Sequence, residues 1–168
     1  MTTSRHTAAA RPNRQSHDLD RFREALAKHA HRSHSYAVLL GLRTGDWQSL
    51  LRDMQRGFAF EAFDHFQRNV GLGPDQLLEW LQIAPRTVTR RRRNGHLLPE
   101  ESDRLLRAAR VFGRALELFE GDRDGAVEWL TTPKPALGGA SPIDVAKTDL
   151  GSREVENLIG RLEHGVYS

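Results

Sequence analysis

Apolar residues that recur every three or four positions mark out most of this chain as helical. The clearest stripe is Phe60, Phe63, Phe66 and Val70, ended by Gly71-Leu72-Gly73. An aromatic stripe at this spacing predicts a core face, and no cofactor is assigned to it. A longer stripe, Leu105, Ala109, Phe112, Leu116 and Phe119, follows Pro99-Glu100-Glu101-Ser102-Asp103 and predicts the central helix of the molecule. Glu100 and Glu101 sit where acids favour a helix dipole; as neighbours about 100° apart they are read as first-turn residues and not as a catalytic pair. Val155, Leu158, Ile159 and Leu162 predict a last amphipathic helix from Ser152 to about His164. Fainter patterns predict helices from Asp18 to the low thirties, from Asp46 to Gln55 (Trp47, Leu50, Leu51, Met54), and from Asp122 to Leu130. The fold class expected is all-α.

Between the two strongest stripes lies a different pattern. Pro74 opens a short helix to Leu81 with Leu77, Leu78 and Leu81 on one face, and a tight turn follows through Gln82, Ile83 and Ala84. Pro85 then opens a second short helix, Arg86-Thr-Val-Thr-Arg-Arg-Arg-Arg-Asn94, which Gly95 is placed to stop. Two short helices joined by a tight turn describe a helix-turn-helix. At about 100° per residue, Val88 faces inward while Arg86, Arg90 and Arg93 gather on the opposite side, flanked by Thr89. Arginine reads guanine bidentately in the major groove, and a recognition helix contacts bases mainly through its first residues. Arg86, Thr87, Thr89 and Arg90 are therefore the expected base contacts, and Arg91, Arg92 and Arg93 complete the DNA-binding set, with Arg91 and Arg92 projecting sideways toward phosphates. A solvated helix end, or a patch for RNA or protein, is the competing reading of the arginine run.

Charge sharpens this division. Residues 1–111 carry 19 Lys and Arg against 12 Asp and Glu, and the remainder carries 6 against 10. The front suits a polyanion and the back does not. Residues 1–17 contain no acid and no periodic apolar residue, and are expected to be disordered; a solvated tail is favoured over a phosphate-binding arm or a transit peptide. Cysteine is absent, which excludes disulfides, thiolate metal sites and a cysteine nucleophile. His29, His31 and His34 match no metal-ligand spacing, so no metal is assigned. Gly138-Gly139 lacks the strand and the Gly-Lys-Ser/Thr that would make a phosphate loop. The longest apolar run, Tyr36 to Leu42, is too short to span a bilayer, so a soluble cytoplasmic protein without membrane contact is expected. No constellation of catalytic groups remains, and the chain is not read as an enzyme.

Taken together, Arg86-Thr-Val-Thr-Arg-Arg91, Glu101-Ser-Asp-Arg-Leu105, Trp129-Leu130, Pro133 with Leu137-Gly-Gly139, Pro142, Thr148, Gly151, Val155 and Gly165 resemble the Xre/MbcA/ParS antitoxins over residues 36–168. Lys134 stands where that family more often has Asn. The first 35 residues lie outside the resemblance and are read as a basic, partly disordered N-terminal segment; the resemblance implies an Xre-like helix-turn-helix domain (36–111) and a small helical toxin-binding domain (112–168). It implies a RES-domain toxin that degrades NAD as partner, with Gly165, Val166, Tyr167 and Ser168 entering the toxin's active site, supported by Val155, Leu158 and Leu162. It also implies promoter DNA bound by a homodimer within a larger toxin–antitoxin complex, with no cofactor. A helix-turn-helix regulator without a toxin partner is the alternative.

Overall fold

The predicted stripes become packed helices in the computed structural model, which describes residues 14–27, 34–43 and 46–165. The helices are α1 (Arg14–Ala27), α2 (Trp47–Arg56), α3 (Glu61–Val70), α4 (Pro74–Leu81), α5 (Pro85–Asn94), α6 (Pro99–Leu118), α7 (Arg123–Thr131), α8 (Pro142–Val145) and α9 (Asp149–Glu163). Short 3₁₀ turns lie at Ser35–Leu40 and Pro135–Leu137. Among the described residues the only strand-like pairing is an isolated bridge between Ala59 and His96.

Local chemistry fixes the ends. Proline occupies the first turn of α4, α5, α6 and α8, where its missing N–H would have had no helical partner. Side-chain oxygens of Asp46, Asp122, Ser141 and Thr148 accept backbone N–H groups at the starts of α2, α7, α8 and α9. Thr148 explains why α9 begins at Asp149, ahead of the expected Ser152. Gly95 closes α5 in the left-handed region at φ 81°, its N–H donating to Arg91 O at 2.9 Å.

Helix α6 is the hub of the core. Phe66 of α3 meets Trp80 of α4 and Phe112 of α6 at ring-centroid separations of 5.9 and 6.1 Å. Leu105, Ala109, Phe112 and Leu116 are fully buried, as the stripe predicts. The same core takes in Val155 and Ile159 of α9 and Ala126 and Leu130 of α7, so α6 passes unbroken through the expected boundary at 111/112 and serves both halves.

Some expectations need correction. Residues 14–17, expected to be disordered, belong to α1; the expected continuation of this helix into the low thirties lies outside the described residues. Leu19 and Phe22 bury themselves in the core, and Asp18 is buried where its Oδ2 accepts from His65 Nδ1 at 2.6 Å and Asn69 Nδ2 at 3.2 Å. At its other end Arg23 donates from Nε and Nη2 to Gly121 O at 3.0 and 2.8 Å. Helix α2 forms where predicted, yet Trp47 is 58% exposed and Leu51 38%, while Leu50 and Met54 pack on the core. The apolar run at Tyr36–Leu42 is spent on the first 3₁₀ turn, with Ala37 to Leu40 buried. No described helix is long and apolar enough to cross a membrane. His29 and His31 lie outside the described residues, and His34 Nδ1 pairs with the Tyr36 hydroxyl at 3.0 Å.

Candidate DNA and partner surfaces

Helix α4 buries Leu77, Trp80 and Leu81, while Leu78 is half-buried; Trp80 joins the expected leucine face. The turn is made by Gln82 at φ 51°, and Ile83 plugs into the core with its N–H donating to Leu78 O at 3.0 Å. This turn aims α5 outward. Val88 packs inward as predicted, Thr87 is half-buried, and Arg86, Thr89, Arg90, Arg92 and Arg93 are exposed. Thr89 Oγ1 donates to Pro85 O at 3.3 Å. Arg86, Arg90 and Arg93 have no partner among the described residues, whereas Arg92 is paired with Asp64 at 2.9 Å and lies 4.7 Å above the Phe60 ring.

Arg91 departs from its expected role. It does not project toward phosphates; it is the buried residue of α5, and its Nε donates to Glu101 Oε1 and Oε2 at 3.0 and 2.8 Å. Glu101 Oε2 also accepts the Leu98 N–H at 2.8 Å, half of a capping box at the start of α6. Burial pushes the Glu101 carboxyl up, but the hydrogen bonds from Arg91 and Leu98 and the charges of Arg91 and Arg104 prevail and hold it below its ordinary value. Next to it, Ser102 Oγ accepts Phe58 N–H at 2.8 Å and donates to Leu98 O at 2.9 Å.

In the back half, Trp129 is half-buried and Lys134 Nζ stands 5.4 Å from its ring. Gly138 and Gly139, at φ 68° and 83°, turn the loop so that Lys134 O accepts both Leu137 and Gly139 N–H at 3.0 Å. Gly151 is required by packing: a Cβ there would lie 1.8 Å from Val145 O. Helix α9 is strapped to α6 by Arg110–Glu156 and Arg114–Glu163, both at 2.7 Å.

Models of two protein families match the chain. Residues 40–110 match the antitoxin Xre-like helix-turn-helix domain, and residues 114–165 match the antitoxin Xre/MbcA/ParS C-terminal toxin-binding domain. An antitoxin Xre of Yersinia enterocolitica is 38% identical over 130 residues, covering 77% of this chain and 88% of the relative. The chain belongs to the Xre/MbcA/ParS antitoxins.

Another antitoxin Xre, of Photorhabdus laumondii, is 34% identical over 116 residues, 68% of this chain and 78% of the relative. The Prs ADP-ribosylating antitoxin of a Sphingobium strain is 28% identical over 124 residues, 68% of this chain and 78% of that one. This antitoxin is thus of type II, a non-enzymatic protein with a DNA-binding module and a toxin-binding module. A regulator without a toxin partner, the alternative reading, leaves the toxin-binding match unexplained.

Several of the antitoxin's motif residues turn out to be structural. Arg91 and Glu101 form one buried pair, Thr148 and Gly151 one helix start, and Trp129 and Lys134 one ring contact. Val155 and Leu158, expected to support the toxin-binding segment, are buried within the chain and seat α9. Leu162 is half-buried and Gly165 exposed, at φ 65°; Val166, Tyr167 and Ser168 lie outside the described residues. The Arg91–Glu101 pair escaped the pattern reading although the spacing held a hint: Arg91 follows the inward Val88 by three positions, about 60° off the same line. Asp64, the partner of Arg92, gave no signal.

Proposed function

We propose that this antitoxin binds the operator of its own promoter through the exposed side of α5 and neutralises a RES-domain toxin that degrades NAD. The carrying observation is that Arg86, Arg90 and Arg93 stand exposed without partners just after the helix-turn-helix turn, while Arg91 and Arg92 are already paired. Free guanidiniums at that position suit base edges and phosphates. In this reading Arg86, Thr87, Thr89 and Arg90 meet bases, Arg93 and Arg92 meet phosphates, and Arg91 only holds the helix. A homodimer would place two such helices on a two-fold operator, in the cytoplasm.

On the toxin side, Val155 and Leu158 fix α9, and Leu162 and Gly165 lead out to Val166, Tyr167 and Ser168, which fill the toxin's NAD pocket. The name of the Sphingobium relative speaks of ADP-ribosylation, and the ADP-ribose of such a transfer comes from NAD, which supports NAD chemistry in the partner.

Deleting Val166 to Ser168 should abolish protection of cellular NAD from the toxin encoded beside this chain and leave operator binding intact. Replacing Arg86 and Arg90 with Ala should abolish operator binding and leave protection intact. Loss of both functions in either variant would sink this division of labour.

A further inference from the structure

Helix α1 lies outside both family matches, which begin at residues 40 and 114, yet it is bolted to the core at both ends by Asp18 and Arg23. Its last described turn lines a groove of about 710 Å³, to which it contributes Arg23, Leu26 and Ala27. The other wall comes from the end of α6, with Arg114, Glu117 and Glu120, and from Glu163 in the last turn of α9.

The chemistry of this groove is one-sided. Arg114 is taken up by Glu117 and Glu163, and Arg23 by Gly121 O and Asp20. Glu120 is exposed and has no partner among the described residues. A half-buried leucine beneath an uncompensated carboxylate fits an apolar side chain flanked by Lys or Arg.

Position identifies the bearer of that side chain. Arg114, Glu117, Glu120 and Glu163 all fall within the toxin-binding match at 114–165, and α9 leads from Glu163 directly to Gly165. Four of the groove's seven lining residues therefore belong to the module that the toxin-binding match covers. We propose that α1 supplies a second toxin contact, seating a basic segment of the cognate toxin with an apolar residue over Leu26. The inference rests on the antitoxin reading and adds to it an element that lies outside both family matches.

The test uses the full chain and the purified toxin encoded beside it. Leu26→Glu should weaken toxin binding about tenfold or more, the scale of losing one well-packed interface side chain. Glu120→Lys should weaken it about threefold to tenfold, chiefly by slower association, and the deficit should shrink in 0.5 M salt. Operator binding and thermal unfolding serve as fold checks. Should Leu26→Glu unfold the chain, Glu120→Lys decides alone, since that carboxylate is exposed. If Glu120→Lys binds toxin at the wild-type rate at every salt concentration, the groove is not a toxin site. If the wild-type chain fails to bind the toxin, the antitoxin pairing itself falls, and this inference with it.

Discussion

Glu101→Ala offers the sharpest trial of the packing described above. The variant removes both oxygens that Arg91 Nε holds at 3.0 and 2.8 Å, together with the acceptor for Leu98 N–H. The side chains of Arg91 and Glu101 are only 10% and 7% exposed, so solvent screens the pair little. Removing one partner from a buried pair leaves the other charge stranded, at a cost of about 3–5 kcal/mol. For a chain of this size each kcal/mol moves Tm by about 2–4 °C, so a fall of about 6–20 °C is expected. Replacing both residues with apolar ones, Arg91→Met with Glu101→Leu, should recover most of that loss, because the pair's own desolvation is removed too. Arg91 is the buried residue of α5, so in the single variant operator affinity should fall at temperatures where the core remains folded. Thermal and urea unfolding followed by tryptophan fluorescence, with operator titrations alongside, read all three quantities. A Glu101→Ala variant destabilised by less than about 1 kcal/mol would refute the claim that this pair anchors α5.

The same carboxyl sets an acid limit: its folded value lies below the ordinary 4.5, so its stabilisation is complete above that pH and drains away as pH falls through the folded value. Urea midpoints should drop below about pH 4.5, and the acid limb should flatten in Glu101→Ala. Asp18→Ala should cost about 1–3 kcal/mol by removing the acceptor of His65 Nδ1 and leaving Asn69 Nδ2 with Leu39 O alone, and hydrogen exchange should show α1 losing protection before α6. Gly151→Ala forces a methyl against Val145 O, so a loss of about 1–3 kcal/mol or more is expected, with toxin binding impaired before operator binding.

Much of this architecture was legible because helical periodicity and end signals act locally. The stripe Phe60-Phe63-Phe66-Val70 is buried throughout, and Pro74, Pro85 and Gly95 punctuate the helix-turn-helix where their backbone chemistry demands. What escaped depends on pairs distant in sequence. Asp18 and His65 are 47 residues apart, and nothing local to Asp18 marks it as buried. Arg91 looked like its exposed neighbours because a run of arginines hides which one turns inward until its acid partner is found ten positions on. In α9, Val155 carries an apolar signal that core packing accounts for and Leu158 is buried as well, so periodicity alone could not separate a seat from an interface.

The two family matches meet between residues 110 and 114, in the middle of α6, where Val111 and Phe112 are fully buried and a Cβ on Gly113 would come within 3.1 Å of Tyr36. A recombination event that exchanged one module for a relative's would splice two half-helices across a packed interior and pay in cavities and clashes. The helix-turn-helix module and the toxin-binding module thus share one helix and one interior. A lineage that acquires a new toxin specificity must reshape surface residues around an inherited helix, because the joint offers no place to cut.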